Sequence, residues 1–256
     1  MAGTTDWDAK TYDRLAAPQE EWAREVLARL PLEGDETVLD AGCGSGRVTR
    51  LLAERLPRGR VIGVDGSESM VAEARRSLAE PGDRVEIVHS DLLALDLEEP
   101  VDAVFSNATF HWVLDHGRLF RRLRAVLKPG GRLVAQCGGD GNVAEWIEAT
   151  KAAAARPQFA AAFEGWPGPW NFAGPGETEE RLRDAGFTEV RCWLEQKVVE
   201  PENPRDFVAV VGLASHHERL SVEQRDPFTD AVLAELPEPL VLRYVRLNIE
   251  ARVPLS

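Results

Sequence analysis

The sequence has no long apolar run, and its N-terminal stretch carries no apolar signal core. A helix that spans a bilayer needs about 20 consecutive apolar residues, and no segment of the 256 residues approaches that length. Residues 1–10 also differ from a secretory signal, which has a short apolar centre. We therefore expect a cytoplasmic protein that does not work at a membrane.

Cysteine is scarce, and metal-binding patterns are missing. The three cysteines, Cys43, Cys137 and Cys192, lie far apart and form no CxxC pair, so no disulfide framework is expected. The five histidines include the neighbours His216 and His217, but neither an HExxH motif nor Cys/His zinc spacing occurs. Because adjacent helical residues point to different sides, a shared ligand role for this pair is not expected. The sequence predicts no metal.

Basic residues are also in deficit. Lysine and arginine number 30 against 43 acidic residues, for a net charge of −13. Nucleic-acid-binding proteins usually present a basic surface, so we expect no nucleic-acid partner and a small-molecule ligand instead. The hydrophobic fraction of 44% is ordinary for a globular protein, and 256 residues fit one α/β domain with an added cap.

Three alternate glycines dominate the N-terminal half. Residues 38–46, Val-Leu-Asp-Ala-Gly-Cys-Gly-Ser-Gly, predict a buried strand, an acid near its end and a turn that enters a helix. Glycine lets the turn approach a ligand closely because it has no Cβ. A dinucleotide would place its pyrophosphate against the helix N-terminus, where Asp40 would repel it. An ammonium or sulfonium cation suits Asp40 better, and S-adenosylmethionine carries both and no phosphate.

Strand and helix signals alternate after this turn. Helices are predicted at 19–30, 46–56, 69–80 and 115–127, and strands at 37–41, 60–64, 84–89, 101–106 and 132–137. The strands are short and rich in Val, Ile and Leu, which is typical of a parallel sheet buried on both faces. Their alternation with helices indicates a doubly wound α/β sheet.

The pattern changes after Gly138. We predict helices at 143–155 and 178–185, an irregular Pro/Gly-rich stretch at 165–176 and a strand at 188–199. Asn203-Pro204 predicts a helix start with proline in the first turn, and that helix extends to about residue 215. A capping box at Ser221 opens another helix, to about residue 236, and 240–252 is predicted as the last strand.

The Asp-x-Gly-x-Gly-x-Gly pattern resembles the cofactor loop of class I S-adenosylmethionine-dependent methyltransferases. Segments 61–67, 90–92, 106–108 and 128–133 follow in that family's order. The resemblance implies a Rossmann-like, mostly parallel seven-stranded sheet with a helical cap. It implies that Asp65 holds the ribose hydroxyls, that Asp91 lies at the adenine edge and that Asn107 lies beside the methionine part. The cofactor-binding residues that it implies are Tyr12, Asp40, Gly42, Cys43, Gly44, Gly46, Asp65, Gly66, Ser67, Met70, Ser90, Asp91, Leu92, Asn107, Ala108 and Trp112.

Over nearly its whole length the sequence is similar to the trans-aconitate 2-methyltransferase group. The similarity is carried by Trp7 and Tyr12 in segment 6–13 and by segments 106–116 and 244–252. It implies methylation of an oxygen on a small carboxylic acid. Two departures are His111, where glutamine is common in that group, and the Trp/Pro-rich stretch 165–176. A natural-product hydroxyl or amine, or a carrier-bound acid, therefore stays open as the acceptor.

Two other classes of function fit the sequence less well. An NAD-dependent oxidoreductase is disfavoured by Asp40 and by Arg47, which stands where GxGxxG requires glycine. A non-catalytic cofactor-binding protein is disfavoured by the intact loop. We expect a single methyltransferase domain, 1–256, acting as a monomer or homodimer. Its predicted parts are an N-terminal lid and helix (1–30), a cofactor core (31–138), cap insertions (139–177 and 203–237) and the final helix and strands (178–202 and 238–256).

The acceptor residues depend on the acceptor's chemistry. A carboxylic acid ordinarily has a pKa of about 4, so it is already ionised at neutral pH and needs no base, whereas a phenol or amine gains from one. His111 is the candidate base, or else it hydrogen-bonds without moving a proton. Arg14 is the candidate anchor for an anionic acceptor, because guanidinium pairs well with carboxylate, or else it is a solvated surface side chain. Arg243 and Arg156 are its alternatives. Trp112 and Trp170 either wall the pocket or pack beneath irregular loops.

Overall fold

The structure, a computed structural model, describes residues 17–79 and 84–255. Within them, seven strands form one sheet in the order β3-β2-β1-β4-β5-β7-β6. The strands are β1 (Thr37–Ala41), β2 (Arg60–Asp65), β3 (Val85–His89), β4 (Val101–Asn107), β5 (Leu127–Gly138), β6 (Thr188–Val199) and β7 (Leu242–Arg252). The first five pair in parallel, and β7 is antiparallel to both β5 and β6. The predicted doubly wound, mostly parallel sheet is confirmed.

Helices cover both faces of the sheet and build a separate layer beside it. They are α1 (Ala17–Ala28), α2 (Arg47–Arg55), α3 (Glu68–Ser77), α4 (His116–Val126), α5 (Ala144–Ala154), α6 (Ala160–Phe163), α7 (Pro175–Asp184), α8 (Pro204–Phe207), α9 (Ala214–His217) and α10 (Val222–Leu233). Val38 and Leu39, adjacent on β1, belong to different buried clusters, since alternate strand side chains point to opposite faces. The sheet is therefore buried on both sides.

A third buried cluster lies among the helices outside the sheet. It joins Trp146 and Ala149 of α5 with Phe159, Phe207 and Phe228, so residues from both segments that we predict to be cap insertions meet there. The Phe159 and Phe228 rings pack edge to face with centroids 5.2 Å apart. These segments thus have an apolar core of their own.

The strand order reverses between β1 and β4, which are neighbours in the sheet although β2 and β3 lie between them in sequence. In open α/β sheets such a reversal leaves a crevice outside the carboxyl ends of the strands. Both the glycine loop, after β1, and segment 107–112, after β4, begin at this edge. The topology therefore brings together the loops that carry the predicted site.

The predicted helix from residue 204 to about 215 is wrong as a continuous element. The chain forms α8, then a π-helical turn at Val208–Gly212, and then the short α9. A Cβ at Gly212 would lie only 1.6 Å from the Trp146 ring, so the helix backbone and that ring are pressed together. This contact, together with the poor helix propensity of glycine and of the β-branched valines, accounts for the interruption.

The starts of α7 and β5 also differ from prediction. Helix α7 begins at Pro175 rather than at 178, because proline suits a first helical turn and the Gly174 N–H donates to Glu177 Oε1 at 2.9 Å. Strand β5 begins at Leu127 rather than at 132. Leu127 already pairs with Val101, and an irregular register absorbs the Lys-Pro-Gly-Gly segment before regular pairing resumes.

Candidate active site

The glycine loop leaves β1 and turns over its end. The N–H groups of Gly42 and Cys43 both donate to Val64 O, at 2.8 and 3.0 Å, which fixes the loop to β2. Gly42 has a φ of 85°, and a Cβ there would meet the Thr109 side chain at 2.1 Å. Gly44 has a φ of 54° and faces open space. Gly42 is thus required by packing, whereas Gly44 is the point of the loop that a ligand can approach.

Asp65, at the end of β2, faces this loop. Its Oδ2 accepts from the Gly44 N–H and its Oδ1 from the Ser67 N–H, both at 2.9 Å. Burial raises the pKa of Asp65, while those two amide donors act in the opposite direction. The carboxylate is therefore held rigidly at the crevice, next to the glycine that is open to a ligand.

The other residues predicted along this edge order the turns that border the crevice. The Ser67 hydroxyl accepts from the Met70 N–H at 3.3 Å and caps α3. Asp91 Oδ1 accepts from the Leu93 N–H at 2.8 Å, and so caps the 3-10 turn Leu92–Ala94. The Ser90 N–H donates to Asp65 O at 3.0 Å, which ties this turn to the end of β2.

Asp40 is almost fully buried, with 2% of its surface exposed. Its Oδ2 accepts from the Thr49 hydroxyl of α2 at 2.7 Å. Burial raises the pKa of Asp40 to about 7, with a smaller contribution from the nearby Asp65 charge and an opposing one from Thr49. The carboxyl is therefore divided between its two protonation states at neutral pH, and a cation nearby would favour the ionised one.

The segment after β4 supplies a buried acceptor and an unusual backbone. Asn107 Oδ1 is buried and has no hydrogen-bond donor among the residues that the structure describes. Ala108 has a φ of 58°, a left-handed conformation that is uncommon for alanine, and its N–H donates to Gln136 O at 2.7 Å. An unpartnered acceptor at this edge fits a cationic donor such as the ammonium of S-adenosylmethionine.

A cavity adjoins this segment and extends under the cap. Ala108, His111 and Trp112 line it from the sheet side, and Val211 and Gly212 of the π-helical turn from the other. We call the rings that enclose it the aromatic wall: Trp112, Trp146, Trp170, Phe172 and Phe207. Trp170 stacks on Phe172 with ring centroids 5.7 Å apart, and Trp112 lies at the same distance from Trp170. The structure thus brings the predicted wall residues, Trp112 and Trp170, together.

His111 lines this cavity and is 8% exposed. Its Nδ1 accepts from the Gly138 N–H at 3.2 Å. Burial, with the nearby Arg246 charge as a lesser cause, holds the pKa of His111 well below its usual range, so the ring is neutral and its proton is on Nε2. The nitrogen that would accept a proton is already engaged. The geometry favours a hydrogen-bond donor over the predicted base.

Arg246 is a cavity residue that the sequence did not point to. It projects from β7, is 3% exposed, and its Nε donates to Gln136 Oε1 at 3.3 Å. Its guanidinium carbon also lies 5.3 Å from the centre of the Trp22 ring. The available signal was an arginine between two apolar residues, Val245 and Leu247, in a predicted strand. Sequence alone does not say that β7 pairs with β5 and delivers this side chain to the site.

The predicted anchors lie elsewhere or outside the described residues. Arg243 Nη1 donates to both Glu145 carboxylate oxygens at 2.8 Å, and Arg156 pairs with Glu235 at 2.6 Å; neither lines the cavity. Tyr12 and Arg14, like the proposed lid, fall in the part of the chain that the structure does not describe. The His216 ring packs against the Trp166 and Trp170 rings.

Two other features are absent from the described part of the chain. Within 17–79 and 84–255 no group of three or more His, Cys, Asp or Glu side chains is arranged to hold a metal ion. In the same ranges no helix is both long and apolar enough to cross a membrane.

The chain is similar to known methyltransferases in both sequence and structure. Residues 38–131 match the family described as "Methyltransferase domain". The chain is 33% identical over 252 residues to a trans-aconitate 2-methyltransferase of Methylobacterium nodulans, covering 97% of the chain and 91% of that relative. Identity to the Azoarcus sp. (strain BH72) trans-aconitate 2-methyltransferase is 43% over 130 residues, and this match spans only 51% of the chain and 50% of the relative.

A solved structure shares the fold at lower identity. A Haemonchus contortus phosphoethanolamine N-methyltransferase, solved with phosphomonomethylethanolamine and S-adenosylhomocysteine, superposes with a TM-score of 0.63 at 20% identity. The superposition covers 96% of this chain and 57% of that one.

Proposed function

Because the chain belongs to the class I S-adenosylmethionine-dependent methyltransferases and resembles the trans-aconitate 2-methyltransferase group, we propose that it methylates a carboxylate oxygen of a small acid. S-adenosylmethionine is the family's cofactor, and when bound it supplies a methyl group on a positively charged sulfur that leaves as a neutral thioether. Everything else in the reaction is a matter of how this chain's residues bind and align the two molecules.

The residues at the crevice fit this cofactor. We assign the ribose hydroxyls to Asp65, the ammonium to the unpartnered Asn107 Oδ1, and close backbone approach to Gly44. The remaining predicted cofactor residues stay candidates for the same crevice, and Tyr12 among them lies outside the described residues. Asp40 is placed to act through its charge, since ionising this buried carboxyl is favourable when a cation lies nearby.

A carboxylate acceptor makes few demands on the protein. It is ionised at neutral pH, and its oxygen attacks the methyl carbon without losing a proton. The chain must hold the acid in line and keep water out, and alignment of this kind contributes about 7–11 kcal/mol in well-oriented reactions. The aromatic wall excludes water, and Ala108 brings the cavity up to the end of β4, where the cofactor's methionine part is assigned.

One observation carries the choice of a carboxylate over a hydroxyl or amine. His111, the histidine at the cavity, accepts a hydrogen bond at Nδ1 and is kept neutral by burial. The described lining includes no Asp or Glu that would act as a base in its place. An acceptor that must lose a proton is poorly served by this site, whereas an ionised acid needs no such help.

The test is transfer of a radiolabelled methyl group to a panel of small acids, phenols and amines, with each product then treated with alkali. We expect labelled acids whose label is released as methanol, because a methyl ester is hydrolysed by alkali. Alkali-stable label on phenols or amines, with no acid labelled, would contradict the proposal.

A further inference from the structure

We propose that Arg246 binds the acceptor's carboxylate and that the aromatic wall binds an apolar body attached to it, so that the preferred acceptor carries one carboxylate rather than several. The inference rests on the proposed function and narrows its substrate class. It concerns the acceptor's part of the site, the cavity beside the end of β4, where the chain's own side chains define what fits.

The first argument is charge. Arg246 is the one cationic side chain in the described lining of the cavity. The protein as a whole carries a net charge of −13, so an anion reaching this site needs a local positive charge to bind. A guanidinium pairs with a carboxylate through charge-assisted hydrogen bonds. One such cation matches one carboxylate.

The second argument is that a chain of buried hydrogen bonds holds the Arg246 guanidinium in place. Arg246 Nε donates to Gln136 Oε1, and Gln136 Nε2 donates to Asn248 Oδ1 at 2.8 Å. Gln136 and Asn248 face each other in the pairing of β5 with β7, and Asn248 also accepts from Arg29 Nη2 at 2.7 Å. These buried amides fix the direction of Arg246, so we assign Gln136 and Asn248 as its positioning residues.

The third argument is that the rest of the described cavity lining is uncharged and mostly apolar. Trp146, Trp170 and Phe207 offer ring surfaces, and the π-helical turn adds Val211 and Gly212. Asn142, Tyr244 and the Trp146 N–H are the neutral polar groups there, and no second cation lines it in the described part of the chain. A second or third carboxylate would therefore lose its water without gaining an opposite charge, which is costly for a charged group. A planar or apolar body would instead gain by burial.

His111 completes the carboxylate site. Its neutral ring carries a proton on Nε2, and it lies close enough to Arg246 for that charge to lower its pKa. One acceptor oxygen can therefore be held between the two side chains while the other attacks. The carboxylate loses its charge when the methyl group is added, so the ester no longer forms an ion pair with Arg246 and leaves more readily than the acid.

The test compares acids with their methyl esters by calorimetry, using trans-cinnamate, phenylacetate and trans-aconitate as probes. In the unaltered protein we expect the aryl acids to bind better than their esters and better than trans-aconitate. Arg246→Gln should weaken aryl-acid binding about 30-fold, the loss typical of a buried charged pair, and leave ester binding unchanged. Arg246→Lys should lie between, and Arg243→Gln, an exposed arginine on the same strand, should change neither.

Unchanged ester binding also shows that the Arg246→Gln variant is folded. If that variant does not fold, the same comparison of acid with ester binding is made with Arg246→Lys, which keeps the positive charge. The inference is overturned if trans-aconitate is bound and methylated in preference to the aryl acids, or if the Arg246 variants lose acid and ester binding equally. If the proposed function itself is wrong, neither the aryl acids nor trans-aconitate will be methylated.

Discussion

At the scale of single residues, the buried carboxyl of Asp40 gives the site a pH dependence. Its pKa, about 7 in the folded chain, lies above the ordinary 3.8. Between these values the folded state binds more protons than the unfolded chain, so this group's contribution to stability falls as the pH rises from about 4 through about 7. Ionised Asp40 attracts the cofactor's cation, so cofactor binding changes in the opposite direction.

We therefore expect the affinity for S-adenosylmethionine to rise between pH 6 and pH 8. Asp40→Asn keeps an oxygen to accept the Thr49 hydrogen bond but removes the titration, and should flatten this rise. Calorimetry of both proteins at the two pH values makes the comparison. If the affinity of both proteins changes equally with pH, the charge of Asp40 does not contribute to cofactor binding.

Asp65→Ala should weaken cofactor binding strongly while the chain stays folded. The Gly44 and Ser67 amides lose their acceptor, which costs about 1–3 kcal/mol if no water replaces it, less than a typical domain's stability. Calorimetry with S-adenosylhomocysteine measures the affinity, and circular dichroism monitors the fold. Equal affinity in the variant would show that the ribose assignment is wrong.

His111→Ala should leave methylation of an acid largely intact, because the ionised acceptor needs no base and Arg246 still binds it. A loss of kcat within about tenfold is expected from the missing hydrogen bond, which is worth about 0.5–1.5 kcal/mol. Steady-state kinetics on the best acid of the panel gives the number. A loss of several hundredfold would instead indicate a proton-transfer role and an acceptor that depends on it.

The position of a residue in the site could be predicted from sequence where the neighbouring residues determine it. Asp65 ends a strand, and Gly44 belongs to a turn that follows one, so both could be placed at the crevice from sequence. Arg246 could not, because its position depends on the pairing of β7 with β5, more than a hundred residues earlier in the chain. Arg243, three residues before it on the same strand, was an equally reasonable guess and faces Glu145 at the surface.

At the scale of elements, the contact between Gly212 and Trp146 joins the π-helical turn to α5. Gly212→Ala would place a Cβ 1.6 Å from the ring, so Trp146 must move and the aromatic wall with it. We expect a loss of about 1–3 kcal/mol in stability, as for other overpacked sites, and a raised KM for the acceptor with unchanged cofactor affinity.

Gly176→Ala is the matched control, since a Cβ at that helical position meets nothing within 4 Å. Thermal unfolding and acceptor kinetics of both variants give the comparison. Equal behaviour of the two would mean that the Gly212 contact does not shape the cavity.

The elements themselves followed from sequence where the hydrophobic period was clear. The alternation through residue 138 gave the parallel strands and their helices within a few residues, because each segment signals its own type. The helix predicted from 204 to about 215 is interrupted by a contact with Trp146, distant in the chain, which no local pattern reveals. The start of α7 differs from prediction because prolines and glycines, which interrupt helices in their interior, also form a good helix start at Gly174-Pro175.

At the scale of the whole molecule, the site lies where the sheet meets the helices outside it. The sheet's core fixes the crevice, and the core of the outer helices holds the aromatic wall over the end of β4. The topology of the sheet could be predicted from its motifs. The polarity of the cavity could not, since it arises where strands of the sheet and helices outside it contribute side chains to one space.

The central claim, transfer to an ionised carboxylate, is tested most directly by counting protons. A carboxylate that is methylated releases none, whereas a hydroxyl or an ammonium group gives up one for each methyl group transferred. With the best acceptor of the panel in a weakly buffered solution at neutral pH, a pH indicator follows protons while S-adenosylhomocysteine is quantified in parallel. The account predicts no proton released per turnover, and one proton per turnover would contradict it.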